Sequence, residues 1–121
     1  MEVSIVIKNG KNIAIVKSSN ALICDVQSAL DFIANINYET GCNRIVIYKS
    51  VLCEEFFNLK TKIAGDILQK FINYQIRAAI VGDFGKYSSK SLKDFIYECN
   101  NGKDIFFLSK EEEAIQALSS K

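Results

Sequence analysis

Between Gly82 and Ser91 the chain carries Asp83, Tyr87, Ser88, Ser89 and Lys90, a dense run of side chains able to hold a small charged ligand. A phenol, two hydroxyls and an ammonium can grip a phosphate, and amides at the start of a following helix favour anions. The glycine spacing here is neither a dinucleotide fingerprint nor a Walker loop. Asp83-Phe84-Gly85 matches one kinase motif, but the chain is too short for a kinase and lacks the others. The same residues also suit a glycine-relaxed turn with serine caps, so ligand binding and plain capping both stand.

Thr61 is the second candidate. It lies between Lys60 and Lys62 where a helix is expected to begin, so phosphate on its hydroxyl would meet a helix N-terminus and two cations. A plain N-cap flanked by solvated lysines accounts for the same pattern and is worth about 1 kcal/mol. Tyr97-Glu98-Cys99-Asn100, with Lys103 and Asp104, suits either a docking surface or the satisfaction of loop backbone groups. Glu54-Glu55 and Glu111-Glu112-Glu113 sit near presumed helix starts, where negative charge complements the macrodipole. No second carboxylate is placed opposite them for acid-base hydrolysis.

Histidine is absent, which removes Ser-His and Cys-His nucleophile pairs and the commonest general base. Carboxylate or lysine chemistry stays open. Cys24, Cys42, Cys53 and Cys99 match no Cys-x-x-Cys spacing and show no close pairing, so they are read as small, partly buried thiols. No catalytic set, metal site or cofactor is expected.

The 121 residues fit one domain, spanning 1–121. Apolar residues make up 49% and charged residues 24%, the balance of a chain that buries a core. A net charge of +1 without a basic stripe argues against a nucleic-acid partner. No apolar run approaches the ~20 residues that cross a bilayer, and the N-terminus lacks a secretion signal. The expectation is a soluble, cytoplasmic protein with reduced thiols and no membrane partner.

The elements that must position these side chains follow from periodicity. Val3, Ile5 and Ile7 alternate with Ser4, Val6 and Lys8 as a strand does. Asn9-Gly10 then turns the chain back into a second strand over Asn12–Lys17. A helix begins near Cys24-Asp25 with Val26, Ala29, Leu30, Ile33 and Ile36 as its buried stripe, and Gly41 ends it. Arg44–Tyr48 reads as a third strand, and Ser50 caps a short turn through Val51 to Phe57. Thr61 opens a longer helix with Ile63, Ile67, Phe71 and Tyr74 on one face, widened by Ala64, Leu68 and Ile72. Arg77–Gly82 is the fourth strand. Ser88, Ser89 or Ser91 caps a helix carrying Leu92, Phe95, Ile96 and Cys99 inward, closed by Asn101-Gly102. Ile105–Leu108 is the fifth strand, and Ser109 with Glu112 has the spacing of a capping box for a last helix carrying Ala114, Ile115 and Leu118. The fold class is α/β: a five-stranded mixed sheet, an N-terminal hairpin followed by alternating helices and parallel strands, in the order ββαβαβαβα.

Gly82-Asp83-Phe84, Tyr87 and the run from Ser89 to Glu98, then Asn100-x-Gly102-Lys103, resemble a family of small bacterial proteins described as a domain of unknown function. Asp25 to Asp31, Tyr38 to Cys42 and Ala64 to Phe71 fit the same family. That resemblance covers nearly the whole chain and implies no activity. The element order is similar to the STAS domain of sulfate transporters and anti-sigma factor antagonists. This likeness implies docking of a partner protein and, for some members, a phosphorylated Ser or Thr at a helix N-terminus. Thr61 falls at the matching helix, but Asn58 to Gly65 lacks the Asp-Ser-Gly-like run of a switchable antagonist.

The leading expectation is a non-enzymatic regulatory or interaction module with an unidentified protein partner and a homodimer as its assemblies. Phe56, Phe57 and Tyr74 serve as interface anchors wherever they are exposed. The alternative is a small phosphorylated-ligand or nucleotide binder, with an enzyme left open, using the Gly82 to Ser91 loop. It requires a concave pocket gathering Asp83, Tyr87 and Lys90.

Overall fold

Asn9 and Gly10 take φ values of 52° and 75°, the left-handed pair that a two-residue hairpin turn needs. They join β1 (Glu2–Lys8) to β2 (Lys11–Lys17), antiparallel and in unbroken register from Lys8↔Lys11 to Glu2↔Lys17. The computed structural model describes residues 1–120.

Helix α1 (Val26–Thr40) starts at a reciprocal cap. The Asp25 carboxylate accepts from the Ser28 amide at 2.8 Å, and the Ser28 hydroxyl accepts from the Asp25 amide at 3.0 Å. Gly41, at φ 68°, ends it. Strand β3 (Arg44–Tyr48) leads into three short 3-10 turns, Lys49–Val51, Glu54–Phe57 and Leu59–Thr61. Helix α2 (Ile63–Asn73), β4 (Arg77–Val81), α3 (Lys90–Asn101), β5 (Ile105–Leu108) and α4 (Glu111–Ser119) complete the chain.

The sheet runs in the order β1-β2-β3-β4-β5, with β2 to β5 parallel. Period-two alternation sends Ala14, Val16, Ile45, Ile47, Ala78, Ile80 and Phe107 to one face, where they pack with α1, α2 and α3. Ile13, Ile15, Val46, Ala79 and Val81 face the other way and are covered by Ala114 and Leu118 of α4. Three successive connections therefore step the same way across the sheet and lay their helices on the same face. They share one hand, as crossover connections require. The carboxyl ends of β3 and β4 consequently open onto one set of loops, which carries most of the chemistry considered above.

Several local expectations are corrected. Helix α2 has Lys62, not Thr61, as its cap residue, at φ 65°. Thr61 closes the preceding 3-10 turn, donating to the Asn58 carbonyl at 2.8 Å and accepting from the Ile63 amide at 3.3 Å. Ser109 forms no capping box: Lys110 is the cap residue of α4, and the Ser109 hydroxyl donates to Glu113 at 3.1 Å. Tyr74 and Ile72 are exposed rather than part of the buried face of α2, while Phe32, absent from the expected stripe of α1, is buried. Phe56 and Phe57 are buried, so neither is a surface anchor.

Cys24 and Cys53 form a disulfide with their Cα atoms 5.0 Å apart, so the expected set of unpaired thiols is reduced to Cys42 and Cys99. A separation of 29 residues hid the pair. The cause is the adjacent Ile23↔Leu52 bridge, which clamps the β2–α1 loop onto the segment after β3. No helix among the described residues is long and apolar enough to cross a membrane.

Candidate functional site

The segment Glu54–Lys60, after β3, and the segment Tyr87–Ser91, after β4, enclose a cleft of about 700 Å³. Its lining is Glu54, Phe57, Asn58, Leu59, Lys60, Tyr87, Ser89 and Ser91. Cavities of this size beyond the carboxyl ends of parallel strands are where small ligands collect on open α/β sheets.

The floor is aromatic. Phe57 stacks on Tyr87 with ring centres 5.2 Å apart and planes 20° apart. Phe84 supports Phe57 at 5.9 Å and meets Phe107 edge-on at 5.5 Å, while Phe56 lies 6.3 Å from Phe107. Burial of Phe56 and Phe57 in this cluster removes about 1.5–3 kcal/mol worth of apolar surface each from water, which fixes the irregular turns after β3. The half-buried Tyr87 ring, stacked on the buried Phe57, lines the cleft.

Glu54 and Tyr87 form the polar centre. The Tyr87 hydroxyl donates to Glu54 Oε2 at 2.6 Å. Lys49 Nζ approaches the other oxygen at 3.5 Å, and Lys86 Nζ stands 4.0 Å from it. The Tyr87 hydrogen bond, followed by the two lysine charges, holds the Glu54 carboxyl below its ordinary range against an opposing effect of burial. Burial, then the Glu54 hydrogen bond and charge, push the Tyr87 phenol far up. The acid is thus held ionised and the phenol protonated, and neither is tuned near neutrality as a general acid-base group would be.

Lys49 reaches this centre because Gly82 has no side chain. A Cβ on Gly82 would lie 2.7 Å from Lys49 Cβ and 2.9 Å from its Cδ. The lysine stem crosses the glycine and brings Nζ to 4.8 Å from the Phe57 ring centre and 5.2 Å from that of Tyr87. On the far wall, Ser89 caps α3 by accepting from the Leu92 amide at 3.2 Å. Ser91 stands in the first turn of α3, where backbone amides favour negative charge. Lys60 is part of the cleft lining.

Of the five residues expected in the loop after β4, Tyr87 and Ser89 line the cleft. Asp83 turns back to accept from the Gly85 amide at 3.0 Å, Ser88 is exposed outside the lining, and Lys90 pairs with Asp94 at 2.8 Å along α3. Thr61 is exposed beside Lys60 but does not line the cleft. Asn100, from the third candidate group, brackets the Phe107 backbone, accepting from its amide at 2.7 Å and donating to its carbonyl at 3.0 Å. Lys49, Glu54, Phe57, Asn58, Lys60 and Ser91 were not singled out for this site. The rule that pointed to the loop after β4 applies equally to the segment after β3, and would have found most of them.

A second tyrosine-glutamate pair lies across the sheet edge. Tyr48 donates to Glu111 Oε1 at 2.6 Å, with Lys17 Nζ 3.9 Å from the same oxygen and 5.0 Å from the ring centre. This hydrogen bond, with burial, raises the Tyr48 phenol to about 12. It ties α4 to β3 and leaves a shallower surface lined by Lys17, Ser18, Ser19 and Ser50.

Residues 8–118 match the profile of a family described as a domain of unknown function (DUF4180). No curated protein and no solved structure matches the chain.

Proposed function

The chain belongs to the DUF4180 family, a domain of unknown function, and from that premise we propose that it is a non-enzymatic binding module whose cleft takes a small phosphorylated ligand or nucleotide. The observation that carries this reading is the cleft itself, lined by the stacked Phe57 and Tyr87 together with Ser89, Ser91 and Lys60. A flat apolar group suits the aromatic lining, and a phosphate suits the first turn of α3, with Lys60 in the same lining. The locked Glu54–Tyr87 pair supports binding over proton transfer. Thr61, exposed next to Lys60, enters as a modification site: phosphate there sets negative charge against the cation that meets the ligand.

The topology supports a regulatory role of the STAS kind, in a bacterial cytoplasm, as an analogy of fold. In that setting a disulfide such as Cys24–Cys53 is transient or redox-sensing rather than permanent. Docking of a partner protein is a second reading. It is favoured by Tyr74, 60% exposed, beside an apolar groove lined by Leu30, Ile33, Ala34 and Ile76 between α1 and α2.

A thermal-shift screen with nucleotides and phosphorylated metabolites tests the first reading, because a ligand of the native state raises the unfolding midpoint. The expected result is a concentration-dependent rise that Lys60→Glu or Ser91→Trp removes. A flat response to the whole panel contradicts it. Pull-down with wild type and Tyr74→Lys tests the second: a stoichiometric protein lost in the variant supports docking on that groove, and its retention excludes the groove.

A further inference from the structure

The two edges of the sheet are treated differently. At β5 the strand is short, and Asn100 satisfies both backbone groups of Phe107 on its outer side. At β1 the outer side has no strand partner among the described residues. An uncovered edge is a template for a further strand, and proteins usually blunt one with short length, charge or a covering segment.

The register shows what that edge offers. Lys8 and Lys11 close a two-residue turn and so form a hydrogen-bonded pair. Alternation along an antiparallel ladder then gives hydrogen-bonded pairs at Val6↔Ile13, Ser4↔Ile15 and Glu2↔Lys17. The backbone groups of Val3, Ile5 and Ile7 therefore point away from β2, toward the open edge. All three are apolar, with Ile5 49% and Ile7 72% exposed, while Val6 turns to the opposite face of the sheet. Their side chains share the face of their β2 partners Val16, Ala14 and Asn12, the face that α1 to α3 cover further along the sheet.

We infer that β1 pairs with β1 of a second copy of this chain, antiparallel about a two-fold axis at Ile5, joining two sheets into one. The strand is self-complementary in this register. Ile5 meets Ile5, Val3 meets Ile7, Ser4 meets Val6 and Glu2 meets Lys8. Ile5 and the two Val3–Ile7 pairs exchange the backbone bonds left open by β2, and their side chains form one apolar stripe across the axis. The charges decide between a second copy and an arbitrary peptide. Within one chain Lys8 faces the like charge of Lys11, whereas across the axis it gains Glu2. A seven-residue edge is small beside the roughly 1,200–2,000 Å² of a stable interface, so the dimer dissociates on dilution.

Sedimentation equilibrium from micromolar to millimolar protein reads this directly. Wild type is expected to move from the 13.6 kDa chain mass to twice that value as concentration rises. Ile5→Lys stays monomeric, with an unchanged circular dichroism spectrum because Ile5 is exposed. Lys8→Glu separates dimer from hairpin: it relieves the clash with Lys11, so thermal stability holds or rises, yet it weakens dimerisation about tenfold by facing Glu2 across the axis. Adding Glu2→Lys restores dimerisation. A wild type monomeric throughout, a dimer indifferent to Lys8→Glu, or a double variant no better than the single overturns the proposal. The Glu2 and Lys8 variants keep it open to refutation even if Ile5→Lys misfolds.

Discussion

Tyr87 donates a 2.6 Å hydrogen bond to Glu54 across a sequence separation of 33 residues. It ties the loop after β4 to the turn after β3 and fixes both walls of the cleft. It also sets a pH dependence. Glu54 is held below its ordinary value near 4.5, so its contribution to stability is full above that value and is lost as the pH falls through its lower folded value. Tyr87→Phe keeps the ring stack and removes the bond. The expected cost is about 0.5–1 kcal/mol at neutral pH, discounted because the Glu54 side chain is largely exposed. The difference between wild type and variant in urea unfolding should close as the pH falls progressively below Glu54's ordinary value. A difference that persists there contradicts the assignment.

Gly82 and Lys49 are fitted to each other. Gly82→Ala forces a methyl within 2.7 Å of Lys49 Cβ, so the lysine stem must move off the Phe57 and Tyr87 rings. Loss of about 1–3 kcal/mol is expected in chemical unfolding. In a Lys49→Gly background, which removes the Cβ and Cδ that the new methyl would meet, the same change should cost clearly less, a coupling that a double-mutant cycle measures. Equal costs in both backgrounds refute the contact.

The Cys24–Cys53 disulfide closes a loop of 29 residues, which corresponds to about 3–4 kcal/mol of stabilisation through the unfolded chain. A reducing agent, or Cys24→Ser with Cys53→Ser, should lower the thermal midpoint, while Cys99→Ser leaves the response to reductant intact. Cys53 immediately precedes Glu54, so reduction should also loosen the wall of the cleft and weaken ligand binding. Insensitivity of the midpoint to reductant excludes the bond.

Tyr48 gives a spectroscopic handle on the opposite side of the sheet edge. Its phenol is expected to ionise at about 12, because the hydrogen bond to the Glu111 carboxylate favours the protonated form. Ultraviolet titration of wild type against Tyr48→Phe isolates that phase. Glu111→Gln should bring it down, and an unmoved phase contradicts the pairing.

The sheet was legible where one period dominates. Alternation of Val3, Ile5 and Ile7, the Asn9-Gly10 turn and the apolar runs Arg44–Tyr48 and Ile105–Leu108 each mark a single structure. What escaped was tertiary. Phe56 and Phe57 lie in a 3-10 turn with no period to assign a face, and only their contacts with Tyr87, Phe84 and Phe107 show that they point inward. Spacing could not say that Asp83 is spent on its own turn or that Lys90 is spent on Asp94. Glu54 was visible as an acid near a turn, but its partner came from another crossover unit.

A nuclear magnetic resonance titration of the labelled protein with nucleotides and sugar phosphates is the sharpest probe of the cleft. Saturable shifts should gather on the amides of Asn58 to Lys60 and Tyr87 to Ser91, with the added compound unchanged after incubation. Shifts that gather on α1 and the end of α2, turnover of the added compound, or no shift at millimolar ligand would contradict the account.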